Sequence, residues 1–199
     1  MATVNEVLKY WFGELDDDGH PRRDRSALWW KKDAATDDEL RERFGDDVQA
    51  ALGGRRDDWA ASPRGRLALI LLLDQLTRNI HRDTPGAFAG DPRARELCLE
   101  GLERGEDRHL APIQRVFFYL PLEHAEDERL QLRSCSLYAK LRDEVPAHLT
   151  EAYAGYLDYA EQHRVIIERF GRFPHRNAIL GRQPTVEELH FLEQPGSSF

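Results

Sequence analysis

Three apolar segments of the chain are broken by groups that can move a proton or hold an anion. In "RLALILLLDQLTRNIHR" the face made by Leu69, Leu72, Leu73, Leu76 and Ile80 is apolar throughout. The opposite face starts apolar at Leu67 and Leu71, then turns to Asp74 and Arg78, with Gln75 and Asn79 beside them. As an exposed i,i+4 pair, Asp74 and Arg78 would contribute only about 0.2–0.5 kcal/mol. A helix that is apolar all round belongs in the interior, so these groups are expected to meet another part of the protein. In "IQRVFFYLPLEHAED" the stripe of Ile113, Val116, Phe117 and Leu120 runs on into Glu123, His124 and Asp127. Pro121, which removes the bond to the carbonyl of Phe117, is expected to kink or restart that helix. His163 breaks a third stripe, that of Tyr156, Ala160, Ile167 and Phe170. A carboxylate beside an imidazole is the pairing used in acid–base catalysis near neutral pH, which makes Glu123, His124 and His163 the catalytic candidates.

A fourth stretch, "RFGRFPHRN" at residues 169–177, sets three arginines, a histidine and an asparagine around two phenylalanines. A plain connection would use serine, glycine and aspartate. Gly171 is expected to end the preceding helix in a left-handed turn, and Pro174 to open a short helix running toward Gly181. Helix N-termini and guanidinium forks both favour carboxylate or phosphate. Arg172, His175, Arg176 and Asn177 therefore join Asp74, Gln75, Arg78, Asn79 and Asp127 as ligand-binding candidates. The anion is either a ligand's or the protein's own, with Asp74 and Glu123 as internal candidates. Each interruption also has a structural alternative: a core histidine satisfied by one partner, a helix cap at Asp127, a partly buried pair at Asp74 and Arg78. Taken together they are expected to share one cavity.

The elements that must position these groups are helices. Thr3-x-x-Glu6, Thr36-x-x-Glu39 and Thr185-x-x-Glu188 have capping-box spacing, and Ser62-Pro63 and Asp91-Pro92 place a capping side chain before proline. Glycines at 13, 53–54, 105, 171 and 181 supply the stops. The spacing predicts helices over 4–12, 37–52, 63–80, 92–104, 113–125, 127–143, 147–170 and 186–193, with a short turn near 175–180. No segment alternates with period two, so the fold class is all-α, in a single domain over residues 1–199. Residues 14–35 are expected to form a surface connection whose far end is pinned by Trp29 and Trp30.

The formal charge of −8, from 36 acidic and 28 basic residues, opposes general attraction to nucleic acid or anionic membrane. The longest apolar run, Leu67 to Leu73, is too short to span a bilayer, and the opening residues do not read as a secretory leader; a cytoplasmic location is expected. Cys98 and Cys135 have no CxxC spacing and read as small buried hydrophobes. No glycine-rich phosphate loop, nucleophile elbow or HExxH occurs. Two Glu-x-x-His matches, Glu106 to His109 and Glu187 to His190, fall in a loop and on a short terminal helix. No cofactor or metal site is assigned.

The stretches "VLKYWFGE", "LLLDQLTRNIHR", "FYLPLEHAED", "FGRFPHRNAILGR" and "FLEQPGSSF" resemble the bacterial domain-of-unknown-function family 924 over nearly the whole chain. That resemblance implies an antiparallel array of helices similar to tetratricopeptide-like right-handed superhelices, although no 34-residue consensus is written in the sequence. It implies no established reaction. The residues themselves favour binding of a small anionic molecule with acid–base chemistry. One alternative is a helical-repeat interaction module holding an extended peptide. The other is a metal-dependent hydrolase on Glu123, His124, Asp127 and His163. Oligomeric state is not legible in the residues.

Overall fold

The structure, a computed structural model, describes residues 1–198. Among these the regular elements are helical, with a single isolated bridge between Leu15 and Pro21. Helix α1 (Val4–Phe12) opens on the Thr3–Glu6 capping box and buries Val7, Leu8, Trp11 and Phe12. The connection after it is not wholly irregular, because Ser26–Trp30 form the one-turn helix α2. It is pinned as its composition implied: Trp29 donates to the carbonyl of Trp11 at 2.9 Å, and Trp30 stacks on Phe117 with an interplanar angle of 11°. Helix α3 (Ala34–Leu52) starts three residues before the predicted start at residue 37, because Asp33 accepts from the backbone N–H of Thr36 at 3.2 Å and caps first.

The central rod is made of α4 (Pro63–Ile70), a π-helical turn (Leu71–Leu76) and α5 (Thr77–Ile80). Ser62 caps it, with Pro63 in the first turn. Every residue from Leu67 to Thr77 is buried, as expected of a helix apolar on both faces. Burying leucines contributes about 1.5–3 kcal/mol each, which offsets the wide turn's poorer backbone geometry. Gly90 lies against that turn: a Cβ there would sit 2.1 Å from the carbonyl oxygen of Leu73. Around the rod pack α1, α3, α6 (Asp91–Glu103) and α7 (Pro112–Glu123). Pro121 does not break α7, which continues to Glu123. Near it the hydroxyl of Tyr138 donates to the carbonyl of Val116 at 2.9 Å.

Helices α8 (Glu128–Glu144) and α9 (Thr150–Phe170) form a closely packed pair against α7. Gly171 ends α9 at φ 68°, in the left-handed region glycine tolerates, and its N–H reaches the carbonyl of Ile167 at 2.7 Å. A 3-10 turn (Pro174–Arg176) and α10 (Val186–Leu192) follow. Phe173 is fully buried with Ile166 and Ile167, and Phe170 and Phe191 close this smaller cluster from outside.

Candidate functional site

The π turn carries Asp74 and Gln75 into the interior, the end of α7 carries Glu123 and His124, and α9 carries His163. They meet. His124 Nδ1 lies 2.7 Å from Oδ1 of Asp74, whose side chain is wholly buried. Gln75 donates to the other oxygen of Asp74 at 2.6 Å, and Arg78 lies 3.4 Å from Oδ1. The rings of His124 and His163 are 6.1 Å apart. His163 Nδ1 reaches the carbonyl of Tyr159 at 2.8 Å and stands 3.3 Å from Oε1 of Glu123. A carbonyl only accepts, so Nδ1 carries the ring proton.

Burial works against the Asp74 carboxylate, yet His124, Arg78 and the hydrogen bonds outweigh it and hold the acid far below the ordinary range. Glu123 goes the other way: burial, with the charge of Asp74 adding to it, pushes its carboxyl up to about 8. It is a neutral acid at pH 7. The hydroxyl of Tyr138 lies against it and pulls the other way, without cancelling the shift. Burial also lowers all three histidines. His163 falls to about 3, helped by the neighbouring His124 and Arg176. His175 falls to about 4, helped by Arg176 and Arg78. His124 is lowered by burial and Arg78 against the pull of Asp74.

The arginines converge on a residue that the sequence had marked only as a cap. Gly90 is the N-cap of α6, and Asp91 is the first helical residue, so the Asp91 carboxylate is released from capping. Both of its oxygens accept from Nη2 of Arg78 at 2.9 Å, and Oδ2 lies 3.7 Å from Nη1 of Arg176. The guanidinium of Arg176 lies 4.4 Å from the ring centroid of Phe173 and 4.9 Å from that of Phe88, and Arg78 also covers Phe88, at 5.2 Å. Burial and the neighbouring Arg78 bring Arg176 down to about 10. The Nε atoms of both arginines are buried and have no hydrogen-bond partner among the described residues.

The other candidates belong elsewhere. Asn79 donates to Asp37 on α3 at 2.9 Å, because the rod has turned that face toward Asp37 and Arg82. Asp127 is exposed and caps α8, accepting from Arg129 and Leu130 at 2.9 and 3.1 Å. Arg172 grips Glu188 of α10 through Nε and Nη2 at 2.6 and 2.8 Å, and Asn177 supports the same carboxylate. The acids that answer the loop are Asp91, Glu126 and Glu188, in place of the expected Asp74 and Glu123. Glu126 accepts from Phe173 N at 2.8 Å and from Arg182 at 2.7 and 3.0 Å. These contacts join the candidate side chains to one another and to Asp91, Glu126 and Glu188. Open clefts of about 380 and 350 Å³ lie elsewhere, one lined by Tyr10, Arg25, Lys31 and Glu39, the other by Leu8, Phe12, Arg64 and Gln114. Among the described residues no three His, Cys, Asp or Glu side chains are placed to hold a metal ion. His124 faces Asp74, His163 faces Glu123 and Asp127 faces α8, so the donor set of the hydrolase alternative does not assemble.

Fold and site define an all-α protein with a buried histidine–carboxylate–arginine network, and no helix among the described residues is long and apolar enough to cross a membrane. The chain belongs to the bacterial proteins of unknown function DUF924, whose family profile matches residues 7–196. It is similar to the solved structure of a protein of unknown function from Agrobacterium tumefaciens, at 40% identity and a TM-score of 0.78, covering 96% of each chain. No curated protein matches it at a significant level.

Proposed function

We propose that the protein binds a small anionic molecule, a carboxylate or phosphate, at Arg78 and Arg176, and that His124 moves a proton on it. The observation that carries this reading is the 2.7 Å contact of His124 Nδ1 with a wholly buried Asp74 on a π turn. Such turns recur at functional sites. An ionised Asp74 only accepts, so it fixes the proton of His124 on Nδ1 and leaves Nε2 as the basic atom. Neutral at pH 7, His124 takes a proton from the ligand on Nε2, Asp74 stabilises the resulting imidazolium, and the proton is then returned. His163 is a second neutral base and Glu123 a neutral acid beside it. The burial of Asp74, Arg176 and His163 favours this over a peptide-holding module, whose polar residues would line an open groove. The reading places the protein in the cytoplasm, acting as one domain without a cofactor.

Calorimetry with a panel of phosphorylated and carboxylated metabolites tests it. Wild type should bind at least one of them, and Arg176→Ala should bind it about tenfold more weakly or worse, the scale of one charge-assisted hydrogen bond. His124→Gln should retain binding and lose turnover. Absence of binding across the panel would overturn the reading.

A further inference from the structure

We infer that the Asp91 carboxylate is an internal stand-in for the ligand's anionic group, and that a ligand carboxylate or phosphate displaces it from between Arg78 and Arg176. The inference rests on the anion-binding reading above and adds to it how the site is kept closed.

The geometry of Asp91 is that of a substitute. A carboxylate matched to arginine takes two parallel bonds from two different nitrogens. Asp91 instead brings both oxygens to the single Nη2 of Arg78 and stays 3.7 Å from Arg176. The buried Nε atoms of the two arginines are left unpartnered among the described residues, although an unmet buried donor is destabilising. An oxyanion with more than one free oxygen can reach these donors where a side chain tethered to the first turn of α6 does not. The Arg176 guanidinium is held against the rings of Phe88 and Phe173, at 4.9 and 4.4 Å from their centroids. Charge is conserved in the exchange. Arg78 and Arg176 carry two positive charges against Asp74 and Asp91, so an incoming monoanion restores the balance that the departing Asp91 removes. Asp91 has somewhere to go: its side chain is already 19% exposed, and the first turn of a helix favours an acid that swings into water. Burial and the nearby Asp74 also raise its carboxyl above the ordinary range, against the pull of Arg78 and Arg176, so its hold on the arginines is strained by its own neighbour. Gly90, pressed against Leu73, fixes the backbone from which the swing occurs.

Inorganic phosphate is the probe, measured by calorimetry at pH 7 on wild type and Asp91→Asn. Removing the competing charge should tighten phosphate binding about tenfold or more. Equal or weaker binding by a folded Asp91→Asn, with wild type still binding phosphate, would overturn the stand-in and leave the anion site standing. No binding by either protein would overturn both. Should the variant fail to fold, wild-type crystals soaked in phosphate decide the matter. Phosphate between Arg78 and Arg176 with Asp91 turned outward is the expected result. Phosphate elsewhere or absent, or Asp91 still on Arg78, overturns the inference.

Discussion

Asp74 and His124, fifty positions apart in sequence, are joined at 2.7 Å where a π turn of the central rod meets the C-terminus of α7. The pair ties two elements together as well as setting a tautomer. Asp74→Asn keeps the volume but leaves Arg78 and His124 facing a neutral amide. Removing one member of a buried charged network typically costs about 3–5 kcal/mol. Urea denaturation at pH 7 should show a loss of that order; a loss below about 1 kcal/mol would mean that the network contributes little to folding.

Glu123 imposes a pH dependence of unusual sign for a carboxylate. Its folded value, about 8, lies above the ordinary 4.5. Between those limits the folded protein keeps a proton that the unfolded chain releases, so stability falls as pH rises. From pH 4.5 to 6.5 this is opposed by the buried histidines, which are neutral when folded and charged when unfolded. The histidines mask this slope in wild type, so Glu123's share is read as a difference between proteins. Denaturant melts should show the stability of Glu123→Gln relative to wild type rising between pH 4.5 and 8, approaching about 1.4 kcal/mol per unit, roughly one proton's worth. A difference that does not change with pH would mean that Glu123 ionises freely in the folded state.

Much of the architecture was legible because local rules and tertiary packing agree. The boxes at Thr3 and Thr185, the Ser62-Pro63 start, Gly171 and the two-sided run of leucines all mark what forms. Where they failed, a nearer competitor won: Asp33 capped α3 before Thr36 could, and Gly90 took the cap that Asp91-Pro92 advertised. The convergence of Asp74, His124 and His163 was readable as polar breaks in apolar stripes. The partners were not. Asp91, Glu126 and Glu188 look like ordinary surface acids in a chain with 36 acidic residues, and only the path of the backbone brings them to Arg176, Arg182 and Arg172. The π turn is likewise invisible, because leucine-rich sequence has the same pattern in either register.

Gly90→Ala tests the seam between the π turn and α6. A Cβ at 2.1 Å from the carbonyl oxygen of Leu73 meets backbone and not a flexible side chain, so one element must shift. Overpacking of this kind costs about 1–3 kcal/mol. The shift should also loosen Asp91 from Arg78. Thermal denaturation should show the destabilisation, and amide hydrogen exchange should rise at residues 71–77 and 90–94 ahead of the rest of the chain. Uniform exchange with wild-type stability would show that the seam yields without cost.

His163→Leu separates a histidine kept for chemistry from one kept for folding. The side chain is buried, its Nδ1 proton rests on the carbonyl of Tyr159, and its ring meets Phe173 at 5.5 Å. Leucine has similar bulk on a stripe that is otherwise apolar, so at pH 7 the melting temperature should change little. The pH dependence should change in a defined direction. Folded His163 titrates near 3 against an ordinary 6.5, so the unfolded chain binds a proton that the folded protein refuses, and wild type loses stability as pH falls below 6.5. Leucine removes that proton. The stability of the variant relative to wild type should therefore rise on acidification from pH 6.5 to 4.5, approaching about 1.4 kcal/mol per unit, while binding of any ligand found in the metabolite panel weakens. A large drop in melting temperature at pH 7, with no relative gain in acid, would identify His163 as a packing residue and confine the proton chemistry to His124.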